Sequence, residues 1–202
     1  MLMMQMVRAA SMGNLTHYLE FELRSDAEHS PGALMSLLFG RVHLAIVGGG
    51  MGHIGLAFPG YSGLGMPGLG DRLRVFGSQQ ELSAFSSRLA LRALREYLRV
   101  SSVRAVPEGC AHIVYVRRQA KGSPSAYRRL CRRGGMKEPC SQEEYCMNRK
   151  MLRGLPFVSY FSTSTRSHTR IFIAMEQPGT QALDGEFSSF GLSRNGTTVP
   201  FF

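Results

Sequence analysis

Three features of this 202-residue chain predict an α+β fold. HYLEFEL at residues 17–23 alternates strictly, with Leu19, Phe21 and Leu23 on one side and Tyr18, Glu20 and Glu22 on the other, the signature of a half-buried strand. Leu34, Met35, Leu38, Phe39, Val42, Ala45 and Ile46 then recur at helical spacing as one apolar stripe. After that helix, short strand-like runs and a second amphipathic stretch follow in the order β-α-β-β-α-β. This is the split βαβ arrangement of ferredoxin-like and RNA-recognition (RRM-like) folds.

Each element has a local cause. Ser30-Pro31 opens the first helix, about 16 residues long, because serine caps and proline suits the first turn. Gly48-Gly49-Gly50 stops it. Ile54–Phe58 reads as a short strand ended by Pro59 and a glycine-rich loop, and Arg72–Phe76 as the next strand. Gln79–Leu98 is expected to be one amphipathic helix burying Leu82, Phe85, Leu89, Leu91, Leu94 and Leu98, and Ser102–Val106 to be the closing strand.

Pro107-Glu108-Gly109 marks a boundary. The expected division is an N-terminal extension at 1–15, expected to be disordered, a ferredoxin-like domain at 16–106, and a modified α+β domain at 107–202. The second domain reads as a strand at Ala111–Gln119, an arginine-rich helix opened by Pro124, a polar helix of about 10 residues from Ser141, and strands at Phe157–Phe161, Arg170–Met175 and Glu186–Phe190.

Composition narrows the function. The chain is 44% hydrophobic and 19% charged, enough for a packed core and too ordered for a disordered chain. Its formal charge is +10 and its pI about 10.0, which points to a polyanionic partner. No run of about 18 apolar residues suggests a membrane span. The methionine-rich opening, MLMMQMVRAASMGNL, makes a poor signal peptide and reads as an extra or alternative start, with Met12 a candidate for the true initiator. Cys110, Cys131, Cys140 and Cys146 form no CxxC pair, so zinc and a disulfide framework are both disfavoured and a cytoplasmic chain with free thiols is expected.

The charge is concentrated. Between Tyr115 and Gly135 stand Arg117, Arg118, Lys121, Arg128, Arg129, Arg132 and Arg133, with no acidic residue among them. On a helix, Arg128/Arg132 and Arg129/Arg133 form two i,i+4 ladders whose like charges repel. A phosphate backbone relieves that repulsion, because guanidinium presents a planar donor fork to it. The alternative is a solvated basic face.

Residues suited to chemistry are few. Stepping about 100° per residue from Leu34, the stripe centres near ~70° and His43 falls near ~180°, at the border of the buried face, where packing holds an imidazole that stays open to a ligand. A lone histidine on a helix is more often structural, and no His/Asp/Glu grouping has metal-ligand spacing. SYFSTSTRS at 159–167 ends a strand with hydroxyls (Ser162, Ser164 and Thr165) that suit phosphate or ribose, or an ordinary polar turn. HLAIVGGGMGHIG places Gly50, Gly52 and Gly55 as in a dinucleotide fingerprint. That motif needs a strand before and a helix after, and here a helix precedes and six glycines with two prolines follow, so it is rejected.

Several segments in order, HYLEFELR, ALMSLLFGRVHLAIV, IGLAFP, the patch from Arg117 to Lys121, the arginine helix, LPFVSYFSTST and FGLSRNGTTVPFF, together resemble the CRISPR-associated endoribonuclease of type I-F systems, which cuts precursor CRISPR RNA at its repeat hairpin. The similarity spans about His17 to Phe202. It implies that His43 is the catalytic histidine and that Ser162 holds the attacking 2′-hydroxyl. Arg117 and Gln119 would read base edges near the stem's foot, with Lys121 in the same patch. Arg128, Arg129, Arg132 and Arg133 would lie in the stem's major groove, and Ser164 and Thr165 near the scissile phosphate. The resemblance further implies metal-independent cleavage with no cofactor, retention of the product, and other subunits of a type I-F surveillance complex as partners. The rival reading is a catalytically silent hairpin-binding subunit. Two positions depart from the family pattern. Thr169 stands where an aromatic commonly stacks under the terminal base pair, and Phe190 where a tyrosine is often found near the histidine.

Overall fold

The computed structural model describes residues 15–24, 26–63, 65–119, 124–134, 141–143, 152–162, 166–179 and 181–202. Lys121, Ser164, Thr165, Cys140, Cys146, the 1–14 stretch and most of the expected helix after Ser141 lie outside them.

The first sheet follows the expected order. β1 (His17–Leu23) buries Leu19, Phe21 and Leu23 as the alternation requires. α1 (Pro31–Gly49) starts where the Ser30 hydroxyl accepts from the Ala33 N–H, and ends where Gly50 adopts φ 62 and its own N–H reaches the last carbonyls. β2 (Gly55–Ala57), β3 (Arg72–Gly77), α2 (Gln79–Arg88), β4 (Leu98–Val100) and β5 (Arg104–Ala105) complete this half. The sheet runs β2-β3-β1-β4, with β5 also on β1, and every pairing is antiparallel.

One expected element divides. The helix placed at Gln79–Leu98 ends at Arg88, and Arg92–Tyr97 forms a 3₁₀ segment. The α2 capping box is complete, Ser78 and Glu81 each bonding the other's backbone N–H. Its last turns, however, carry Ser83, Ser86 and Ser87, whose hydroxyls bond carbonyls three or four residues back and weaken the helix. The edge of β1 then claims Leu98–Val100 as a strand, opposite Leu23, Glu22 and Phe21. The closing strand is therefore split, and Arg104–Ala105 is only its second piece.

The second half holds β6 (Ala111–Arg118), α3 (Pro124–Arg132), β7 (Phe157–Ser162), β8 (Ser167–Gly179) and β9 (Val199–Phe201), with the sheet ordered β7-β8-β6-β9. β8 is much longer than the expected Arg170–Met175. The strand expected at Glu186–Phe190 is absent: Phe187 makes one bridge to Ser193, and the chain turns at Ser188–Leu192 around Gly191, φ 65. The strand forms instead at Val199–Phe201, where Ile113, His112 and Ala111 of β6 offer an open edge.

One apolar cluster joins the halves. Phe58 and Leu56 from the first lie in it with Tyr115, Val158, Ile171, Ile173, Phe187, Leu192 and Val199 from the second. Polar links reinforce it. The Tyr115 hydroxyl donates to the Phe58 carbonyl at 2.9 Å, and burial pushes its pKa up to about 12. Arg74, nearly buried, donates to Glu20 and to the Phe202 carbonyl. The rejected glycine run has its role here. Gly50 ends α1, the Gly52 carbonyl accepts from the Phe187 N–H, and Gly55 lets the C-terminal segment approach. Among the described residues α1 alone is long and apolar enough to cross a membrane, and its stripe, interrupted by Arg41 and His43, is buried in this core.

A Cβ at Gly55 would stand 2.6 Å from Val199 Cγ1 and 2.8 Å from Phe187 Cζ. Gly55→Val is expected to lower stability by about 1–3 kcal/mol, read from denaturant midpoints. Gly48→Ala, facing open space on α1, should be neutral or stabilising by up to about 1 kcal/mol.

Candidate active site

His43 is the centre on which the two halves converge. The helical wheel placed it at the border of α1's apolar face. It is in fact buried, 8% exposed, because the second half covers the side of α1 that the first sheet leaves open. Two elements do this. β7 lies along α1, anchored where the Ser36 hydroxyl accepts from the Ser159 N–H at 3.0 Å, and brings the Tyr160 ring to His43. The turn at Ser188–Leu192 brings Phe190, stacked on the imidazole at 4.2 Å and 19°.

The turn also sets the proton. His43 Nδ1 lies 2.7 Å from the Ser189 carbonyl oxygen. A carbonyl only accepts, so Nδ1 carries the hydrogen and Nε2 of the neutral ring carries the lone pair. Burial lowers the imidazole pKa below its ordinary value, with the Ser189 carbonyl opposing in part. The result is a neutral base of fixed tautomer in an aromatic setting.

Arg117 belongs to the same cluster. Its guanidinium lies 5.2 Å from the Phe190 ring centroid, and partial burial lowers its pKa. Gln119, with its amide oxygen turned toward Arg117, accepts from Nε at 3.1 Å and also from Nη2. Two residues expected to meet RNA bases are thus linked to the histidine through a phenylalanine. Arg118 instead pairs with Glu176 across the β6–β8 ladder.

The arginine helix forms where expected. α3 has no buried residue, and Arg128, Arg129, Arg132 and Arg133 are all exposed. Among the described residues none of the four meets an acidic side chain; Arg128 and Arg132 bond backbone carbonyls of their own helix at 3.3 and 3.4 Å. The unrelieved repulsion costs about 0.2–0.5 kcal/mol per ladder step, which a phosphate backbone would offset.

Ser162 is the last residue of β7, two positions beyond Tyr160, and its backbone pairs with Ser167. Ser164, Thr165 and Lys121 fall outside the described residues. Thr169 pairs across the ladder with Tyr160. Sequence reasoning missed Ser189, which acts through its carbonyl and so carries no side-chain signal. It also missed Tyr160, although its position two residues from both Val158 and Ser162 was readable.

Comparison with known proteins bears on the whole chain. A family model described as CRISPR-associated protein (Cas_Csy4) matches residues 18–202. The chain is 36% identical over 189 residues to the CRISPR-associated endonuclease Cas6/Csy4 of Pseudomonas aeruginosa (strain UCBPP-PA14), covering 93% of this chain and 100% of that protein. It is 34% identical over 189 residues to the protein of the same name from Escherichia coli (strain UTI89 / UPEC), with the same coverage.

Phe190→Ala should expose the imidazole and raise the His43 pKa toward 6.5, followed by NMR titration of the ring protons. A histidine with a depressed folded-state pKa contributes stability present above the unfolded value and lost as pH falls toward the folded one. The parent protein should therefore lose stability on acidification below about 6.5, and Phe190→Ala should lose less over that window.

Proposed function

Because the chain belongs to the Cas_Csy4 family of CRISPR-associated proteins, we propose that it is the endoribonuclease that binds a CRISPR repeat hairpin and cuts precursor CRISPR RNA at the hairpin's 3′ foot. The observation that carries this reading is the fixed tautomer of His43, a buried base whose Nε2 lone pair is free for a proton.

In the proposed reaction the 2′-hydroxyl at the foot of the stem attacks the adjacent phosphorus. His43 takes the proton from that hydroxyl, the bond from phosphorus to the 5′-oxygen breaks, and the leaving oxygen takes up a proton from the imidazolium or from water. The products carry a 5′-hydroxyl and a 2′,3′-cyclic phosphate, which water can open to a 3′-phosphate. An imidazole whose pKa burial lowers below its ordinary 6.5 is mostly unprotonated at pH 7, so no activation step precedes attack. Ser162 holds the 2′-hydroxyl in line, a positioning effect that supplies several kcal/mol. No metal takes part in this scheme.

Arg117 and Gln119 read base edges next to the cut, which their link to Phe190 supports. The four exposed arginines of α3, with Lys121, grip the stem, and Ser164 and Thr165 contact the scissile phosphate. The deep, narrow major groove of A-form RNA excludes side chains in mid-helix, so α3 requires a short stem with an accessible groove end. The division into residues 16–106 and 107–202 separates two tasks, the first domain supplying the base and the second the RNA grip. Retention of the cut hairpin and association with other type I-F surveillance subunits complete the proposal.

Cleavage of the repeat hairpin should persist in EDTA and fall by more than about a hundredfold in His43→Ala, with hairpin affinity held within about threefold. A hairpin with a 2′-deoxy ribose at the cut should bind and stay intact. Persistent activity of His43→Ala, or an absolute need for magnesium, overturns the reading. Replacing Arg129 and Arg132 together by Ala should weaken binding and reduce the slope of log K against log salt by about two.

A further inference from the structure

Resting on the reading that RNA is cut beside His43, we propose that the Tyr160 hydroxyl is a second catalytic group, donating a hydrogen bond to a non-bridging oxygen of the scissile phosphate.

The geometry comes from three rings. His43 and Phe190 stack at 4.2 Å, Tyr160 lies 4.9 Å from His43 and 5.6 Å from Phe190, and its plane is close to perpendicular to both, at 87° and 83°. A ring beneath the stack would be much farther from one partner than from the other. These near-equal separations put Tyr160 beside the stack, against the edges of both rings. Perpendicular contacts of this kind restrict the ring's rotation and so fix where its oxygen stands.

Of these three rings Tyr160 alone carries a hydroxyl. Position 190, stacked on the imidazole, is phenylalanine and offers no hydroxyl. The Tyr160 hydroxyl makes no hydrogen bond among the described residues, and His112 Nδ1 is the buried polar side-chain atom found there without a partner. The phenol oxygen therefore reaches solvent, as an oxygen awaiting a ligand should. One side of Tyr160 borders an open groove of about 1250 Å³ with Arg41 of α1 and Phe161 and His168 of the second sheet; His43 and Phe190 do not line it, so the groove bears only on the openness of the tyrosine.

The strand places this hydroxyl next to the reaction. Tyr160 and Ser162 are two residues apart on β7, about 6–7 Å along the strand. A serine holding the attacking ribose and a phenol one strand-repeat away would bracket a single phosphodiester. Negative charge grows on the non-bridging oxygens as phosphorus becomes five-coordinate, and a donor already held in place stabilises that charge without reorganising. The hydroxyl keeps its proton throughout, so the proton balance of the cut remains with His43.

Tyr160→Phe tests the hydroxyl alone, since the ring contacts survive. The expected result is a single-turnover cleavage rate lower by about tenfold or more, with affinity for the 2′-deoxy hairpin unchanged within about threefold and the pH midpoint of the rate unmoved. Intact binding of that uncleavable hairpin also reports that the variant is folded. A rate less than about threefold below the parent overturns the proposal, because a ring acting only as packing is fully replaced by phenylalanine. A loss confined to binding overturns it as well. The outcome is separable from failure of the nuclease reading: there the parent would not cut the repeat RNA, or His43→Ala would cut it as the parent does.

Discussion

Burial of α1 on two sides is the constraint from which the rest follows. Its apolar stripe lies on the first sheet, while β7 and the Ser188–Leu192 turn cover the flank that carries His43. A helix packed on one face would leave that imidazole in water, near its ordinary pKa and free to exchange tautomers. Packed on two, the ring is desolvated, stacked and tied to one carbonyl. The state of His43 is thus a product of how the halves meet, and the small residues at the junction matter as well as the large ones. Gly55 and Gly191 permit the approach that sets Phe190 and Ser189 over the helix.

The distribution of charge complements that arrangement. Around His43 the neighbours are rings and a backbone carbonyl, with one partly buried guanidinium, Arg117, reached through Phe190. The densest group of positive charge without an acidic partner among the described residues, Arg128 to Arg133, sits on and just after α3, which contributes nothing to the core. Separating the two keeps like-charge repulsion away from the imidazole. A cluster of four arginines next to His43 would depress the imidazole's proton affinity by like-charge repulsion, beyond what burial already does. Held apart on an exposed helix, the same charges project a positive field whose reach is set by salt.

Much of the architecture was legible in the chain. The alternation of β1, the cap and stripe of α1, the β-α-β-β-α-β order and the arginine helix opened by Pro124 all depend on local periodicity and capping, which neighbouring residues fix among themselves. So did the choice of His43 as the residue to watch, and resemblance supplied its role. Errors arose where pairing partners overruled local preference. Gln79–Leu98 has helical spacing throughout, yet its end became a strand because the β1 edge was open. Glu186–Phe190 has strand-like composition, yet it turns at Gly191, and Val199–Phe201 pairs instead.

Sequence alone therefore determined β1, α1 and the start of α2 in the first half, where the positive charge lies, and which histidine sits on the edge of the apolar stripe. Only the tertiary structure decided the state of that histidine. Its tautomer is set by the carbonyl of Ser189, 146 residues away along the chain, and its desolvation by rings from two further elements. A backbone carbonyl belongs to every residue alike, so no side-chain pattern could have announced which one would meet Nδ1.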